Sequence, residues 1–438
     1  MGGGNLMLKL SRRHLLKTAV TLTALAAAPL AIAPAAAEES VHSVINALIK
    51  KYSDQAKAGM SNGDVSALFE KDGFRDYLDV YPVGELARGF VWKPGMGASF
   101  VGPYSKLQIK SPFTDYLPLA EGPVLDHNKK YRIGLVFHGF NHPWLISLAD
   151  TAAWEAKRHP NIELEVIDAE FDDNKMGQVI DTWIAKQYDG IVLWPSREAP
   201  MGPPVDRAIA AGIPVVSLDR RTSSEQISSE VLGNFYANGL QQGLYLRQAA
   251  PGGNIIFNRK DLGSTADSIR TGAFLEAIGN IPGYKVLANY HTNSQRTLAF
   301  KSTADALQAF QDISVSFNTG GEEAMGALDA IREANRLNSA PGGKKIMILA
   351  NDDAREVLKE IKAGNIEMVS PYTPLIGDIG IRAVVMHIGA KAGLNEAPPK
   401  LIMTPNLPMI TKEKMNIEGI ETLTPDEWPY AYGPEVAG

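Results

Sequence analysis

The chain has 438 residues, with 43 Lys or Arg against 49 Asp or Glu and no cysteine. The lack of cysteine excludes disulfides, a thiol nucleophile and a lipid-modified cysteine anchor, and the net charge of −6 argues against nucleic acid or an anionic membrane as the main partner. A chain of this length exceeds one ordinary hydrophobic core, so two or more lobes are predicted.

Ser11-Arg12-Arg13-His14-Leu15-Leu16-Lys17 is a twin-arginine pattern, followed by an alanine-rich run and by Ala35-Ala36-Ala37 ahead of Glu38. Residues 1–37 are predicted to be a twin-arginine export signal, cleaved after Ala37, with Met1 or Met7 as initiator. Pro29, Pro34 and the abundance of Ala and Thr make the run too weakly hydrophobic for a stable membrane anchor. A periplasmic location follows, with a cleaved chain more acidic than the whole because the signal carries basic residues and no acids. Residues 38–129 form an N-terminal helical and irregular extension: 41–57 and 65–78 have helical patterning, whereas 81–123 is rich in Pro, Gly and aromatics such as Trp92, Phe100 and Tyr116. Such aromatics are expected to pin a long loop onto a domain surface, with a docking surface as the alternative.

From Tyr131 the sequence alternates short β-branched runs with amphipathic helical stretches. Strands are predicted at 132–137, 164–168, 190–194 and 213–218, and again at 254–258, 285–289, 314–317 and 345–349, with a further extended strand at 401–409. Helices are predicted between them, including 144–157, 176–186, 265–278, 298–310, 322–335 and 354–363, and a last one at 379–391. The most informative stretch is 189–220. There Pro195 stops one apolar strand, Pro203 and Pro204 suit a first helical turn, Gly212 closes the helix, and Asp219 and Arg220 follow the next strand. So short a crossover makes the two strands parallel neighbours. The fold class is therefore α/β, with two successive doubly wound parallel-sheet lobes and a cleft between their carboxyl edges.

Signals for an enzyme are weak. No nucleophile elbow or phosphate loop occurs, the spacing of Gly95, Gly97 and Gly102 is wrong for a nucleotide loop, and His138 and His142 lie on a predicted loop, so no metal or cofactor is expected. A different pattern stands out, with polar or aromatic groups just after the carboxyl ends of strands. These are His142, Trp144, Asp219 and Arg220 in the first lobe, and Arg270, Asn293, Ser294 and Asp352 in the second. An aromatic face that stacks on the C–H face of a ring, with Asp, Asn and Arg for hydroxyls, is the mixture that sugar recognition needs.

These residues resemble the ribose- and galactose-type periplasmic binding proteins, soluble receptors of sugar ABC importers. The matching phrases are Ile133-Gly134-Leu135-Val136 with Asn141-His142-Pro143-Trp144, Tyr188-Asp189-Gly190-Ile191-Val192, and Gly212-Ile213-Pro214-Val215-Val216 ending in Asp219-Arg220. In the second lobe they are Ile269-Arg270 with Phe274, Glu323-Ala324-Met325-Gly326-Ala327-Leu328, and Gly364 ahead of Pro374. The resemblance covers residues 131–411. It implies two lobes joined by three hinge crossovers, namely 130–232 with 373–396 and 233–372 with 397–414, followed by a tail at 415–438. It also implies that Trp144 stacks on a sugar with His142 beside it, that Asp219 and Arg220 bond hydroxyls from one lobe and Arg270 and Asp352 from the other, and that Tyr372 is a polar cleft residue.

Three departures are visible. Gly320-Gly321, preceded by Asn318 and Thr319, stands where the family has Asn-Asp; Leu145 stands where a second stacking aromatic is common; and residues 38–129 have no counterpart. The ligand implied is a sugar, polyol or sugar acid, the last because Arg197, Arg220, Arg221 and Arg270 outnumber Asp219 and Asp352. The resemblance further implies a monomer without catalytic chemistry whose partner is an ABC permease. The alternative partner is a membrane histidine kinase served by a sensory receptor.

Overall fold

The computed structural model describes residue 119 and residues 122–433, apart from 141, 234, 280–282, 375, 399, 404–406, 418–419 and 429–430. The expected export signal with Arg12 and Arg13, and nearly all of the 38–129 extension, lie outside the described residues.

The first lobe runs β1 (Tyr131–Phe137), α1 (Pro143–Lys157), β2 (Ile162–Asp168), α2 (Asp173–Ala185), β3 (Gly190–Trp194), α3 (Gly202–Ala210), β4 (Val215–Leu218) and β5 (Ser229–Leu232). The second repeats the rhythm, with α4 (Phe235–Ala249), β6 (Gly253–Arg259), α5 (Thr265–Gly279), β7 (Tyr284–His291), α6 (Arg296–Ala309), β8 (Val315–Asn318), α7 (Gly321–Glu333), β9 (Met347–Asn351), α8 (Arg355–Ala363) and β10 (Met368–Ser370). Then α9 (Gly377–Lys391) and β11 (Leu401–Met403) return to the first lobe, and β12 (Ile410–Thr411) to the second. The sheets have the same plan, β2-β1-β3-β4-β5-β11 and β7-β6-β8-β9-β10-β12, parallel throughout except for β12. In each, strand order reverses beside the first strand, which leaves a crevice at the carboxyl ends of β1 and β3 and another at those of β6 and β8.

Central strands such as β3 are wholly buried because helices cover both faces, which is why they read as unbroken apolar runs rather than alternating ones. The strand β5 has a weaker signal. Its Glu230 is buried, and its carboxylate accepts the Arg221 Nε–H at 2.9 Å, so a charged residue sits in a core strand with its partner. The helix pair α4 and α5 packs tightly: a Cβ at Gly239 would overlap the Arg270 carbonyl, so glycine sets how close α5 comes.

The chain passes between lobes three times, at residues 232–235, 370–377 and 403–410. The expected boundary at 396/397 is corrected, because β11 hydrogen-bonds parallel to β5 with Leu401 opposite Glu230, so residues 397–403 belong with the first lobe. The expected strand at 401–409 is in fact two short strands, one on each sheet. The described residues of the expected 415–438 tail pack on the second lobe. The hairpin of β13 (Asn416–Ile417) and β14 (Ile420–Glu421) folds beside β12, Leu423 bridges Ile410, and buried Trp428 donates to Asp353 Oδ2 at 2.7 Å. Among the described residues no helix is long and apolar enough to cross a membrane.

Candidate functional site

Where the two carboxyl edges meet, side chains from both lobes and from the 370–377 crossover line a small, almost filled cavity.

The first-lobe wall comes from the ends of β1, β3 and β4. Pro143 opens α1 and sets Trp144 in its first turn. The buried indole stacks on Tyr372 at 5.3 Å and donates Nε1–H to the Tyr372 carbonyl at 2.8 Å, so the crossover covers one of its faces. His142, the extended residue before α1, is pushed by burial down to about 3, with Lys260 adding to the effect, and is therefore a neutral imidazole. Asp219 follows β4 at φ +64°, in the left-handed region that costs a non-glycine residue on the order of 1–3 kcal/mol. Its Oδ2 accepts from Trp194 Nε1 at 2.7 Å and from Arg220 Nε at 3.2 Å, while the buried Oδ1 has no hydrogen-bond partner. The Tyr372 phenol is raised well above its ordinary range by burial and by the Asp219 carboxylate, and its hydroxyl makes no aligned hydrogen bond. Arg220 lies over the Trp194 ring at 4.9 Å and donates to the Ser196 carbonyl at 3.0 Å; across the cleft its Nη1 is 3.7 Å from Asp261 Oδ2.

The second-lobe wall is a charge network. Arg270 donates to Asp352 Oδ1 at 2.9 Å, to the Thr319 carbonyl at 2.7 Å and to Asn238 Oδ1, and its guanidinium lies 5.2 Å from both the Tyr372 and Phe235 rings. Lys260 Nζ reaches Asp352 Oδ2 at 3.2 Å and Glu323 Oε2 at 3.7 Å. Burial alone would raise the Asp352 carboxyl, but Arg270 and Lys260 override it and hold it below its usual range. Burial would likewise lower the Lys260 ammonium, yet Asp352 and Glu323 outweigh it and raise it. A Cβ at Gly320 would overlap both Lys260 Nζ and the Glu323 carboxylate. The glycine where the family has Asn is thus matched by a lysine that fills the space.

Seven of the expected site residues come together here: His142, Trp144, Asp219, Arg220, Arg270, Asp352 and Tyr372. Three do not. Asn318 is corrected to a core residue, since its Nδ2 donates to the Ser316 and Leu349 carbonyls and its Oδ1 accepts from Asn258, leaving nothing for a ligand. Asn293 and Ser294 line a separate outer space instead. Trp194 and Lys260 line the inner cavity although the sequence reading passed over them. Both stand at carboxyl strand ends, so the rule that found Asp219 applied to them equally. Trp194 also supplies a second aromatic where Leu145, buried in the core, cannot. The expected guanidinium excess disappears as well, because Arg197 pairs with Asp173 and Arg221 with Glu230, while Asp261 adds an acid opposite Arg220.

A family model described as periplasmic binding protein domain matches residues 133–392. The chain is 25% identical over 281 residues to the ribose import binding protein of Bacillus subtilis (strain 168), covering 63% of this chain and 88% of the relative. Among solved structures it is similar to the periplasmic binding protein of the arabinose ABC transporter from Shewanella sp. ANA-3, bound to α- and β-L-arabinofuranose (24% identity, TM-score 0.58, 64% of this chain and 92% of that one). It is also similar to the fructose-binding periplasmic domain of a hybrid two-component system (22% identity, TM-score 0.57, 64% and 91%).

Proposed function

Because the chain belongs to the periplasmic binding protein domain family over residues 133–392, we propose that it captures a neutral sugar or related polyol between its lobes and delivers it to an ABC importer. One observation carries the choice of ligand: a small, charge-balanced cavity walled by two indoles, in which a buried carboxylate oxygen of Asp219 lacks a partner. A buried acceptor without a donor costs about 1–3 kcal/mol, and a ligand hydroxyl would recover it. The ribose import function of the Bacillus relative supports the same reading. The sugar acid drops behind the neutral ligand because the cationic side chains are matched by carboxylates.

The mechanism is binding and closure, without bond making. A ligand bonded to Asp219 and Arg220 on one side and to Arg270, Asp352 and Lys260 on the other stabilises the closed arrangement, and only that form would fit the transporter. Twin-arginine export into the periplasm belongs to the same proposal. It predicts that changing Arg12 and Arg13 to Lys strands the precursor in the cytoplasm; unchanged export would refute that assignment. The likeness to a periplasmic domain of a two-component system favours one second reading, a receptor that reports occupancy to a membrane kinase. Co-purification of the liganded protein with a permease rather than a kinase separates the two.

A thermal-shift screen of pentoses, hexoses, polyols and sugar acids tests the ligand class. A sugar at about a hundred times its dissociation constant should add roughly 2.7 kcal/mol of stability. Stabilisation by sugar acids alone would overturn the neutral-ligand reading.

A further inference from the structure

Sharing the Trp194 wall with the inner cavity, a second space of about 370 Å³ opens toward solvent at the mouth of the cleft. It is built from strand ends nearer the outer edges of the sheets, with His138, Phe171 and Arg197 from the first lobe and Asp261, Asn293 and Ser294 from the second. The closure mechanism does not use it.

Its walls are prepared rather than incidental. Phe171 is 53% exposed at φ +65°, held there by its N–H to the His138 carbonyl at 2.6 Å, with its ring against Gly139, where a Cβ would overlap it. A bulky side chain in the left-handed region is a genuine outlier, and such strain gathers at ligand clamps. Across the space, Asn293 and Ser294 are both at positive φ, +53° and +56°. The charges are already spent: Arg197 on Asp173, and Asp261 on Arg220 and on the Ser294 hydroxyl at 3.0 Å. Buried His138 Nε2, 3.3 Å from Asp173 Oδ1, makes no hydrogen bond. An exposed aromatic face, an amide, and an unsatisfied ring nitrogen without net charge match a second sugar ring, not a phosphate or carboxylate.

We propose that the outer space is a second saccharide subsite, so that the ligand is a disaccharide with one ring in the inner cavity and the other on Phe171. This rests on the reading of the inner cavity as a sugar site. Calorimetric titrations would compare monosaccharides with disaccharides that contain them: D-glucose with cellobiose and maltose, D-galactose with lactose, D-xylose with xylobiose, and L-arabinose with arabinobiose. The expected result is one disaccharide binding at least tenfold tighter than its monosaccharide. In Phe171→Ala that advantage should vanish while monosaccharide affinity stays within twofold, and Asn293→Ala should reduce it. Phe171 is exposed, so an unchanged melting point would show the variant folded; should it not be, Asn293→Ala carries the test alone. A monosaccharide that binds at least as tightly as every disaccharide containing it would overturn the subsite, as would a disaccharide advantage that survives the folded variants. If no sugar of either size binds, the reading of the inner cavity falls, and the subsite with it.

Discussion

The two walls of the inner cavity recognise in different ways. On the first lobe, Asp219 keeps one carboxylate oxygen without a partner and the aromatic rings supply apolar area. On the second, Arg270, Asp352, Lys260 and Glu323 are engaged with one another before any ligand arrives. Buried charges are tolerable only when matched, so the second wall is a preset template whose cost is already offset. Of the two carboxylates that line the cavity, Asp219 and Asp352, it is Asp219 that has an oxygen without a hydrogen-bond partner. Substitutions on the second lobe should therefore damage the fold, and those on the first should damage binding.

The largest effect tests the template. Arg270→Met removes the cation from Asp352, Asn238 and the Thr319 carbonyl, and breaking a buried pair in this way costs about 3–5 kcal/mol. Urea denaturation of the unliganded protein should show the loss, and an unchanged midpoint would collapse the contrast between the walls. Trp144 qualifies the contrast, since its indole is pinned against Tyr372 and belongs to the core as well as to the cavity. Trp144→Ala should cost about 3 kcal/mol of stability, at the low end for such truncations. Trp144→Phe should recover much of the stability and part of the binding, as seen by thermal melting and calorimetry.

Asp219 sharpens the contrast from the other side. Asp219→Asn leaves Trp194 an acceptor, so the unliganded protein should melt within a few degrees of wild type. Asp219→Ala should weaken the sugar at least tenfold, in line with about 1.5–3 kcal/mol for a charge-assisted hydrogen bond, with Asn recovering little. A pH effect sets Asp353 apart, next to Asp352 but shifted the other way. Burial pushes its carboxyl up to about 7, although Trp428 and the Tyr372 backbone N–H both donate to it. Its folded value lies above the roughly 3.9 of an unfolded Asp, so the folded state holds the proton more firmly. That contribution is full below about pH 4 and lost as pH rises through about 7. Stability should fall with pH across this window by about 1 kcal/mol per unit, and the slope should be reduced in Asp353→Asn.

The difference between the walls also explains what could be read from the chain. The strand runs ending at Phe137, Trp194 and Leu218 were legible because helices bury both faces of the sheet and leave unbroken apolar stretches. The strands β5 and β10 were not, because β5 carries the ion-paired Glu230 and β10 has only three residues. Asp219 and Arg220 were legible because a short crossover puts them at a carboxyl strand end. Lys260 was hidden because its role depends on empty space at Gly320, sixty positions away and on another strand end, and no local pattern records that complementarity. Asn318 misled because it is the last residue of β8 rather than the first beyond it, so its amide stays in the network between strands.

Small-angle scattering with and without the sugar identified by the thermal-shift screen tests the central claim most directly. Contacts divided between the Asp219 wall and the Arg270 wall require the lobes to come together, so a smaller radius of gyration is predicted on saturation. Tight binding with an unchanged radius would contradict closure on the ligand.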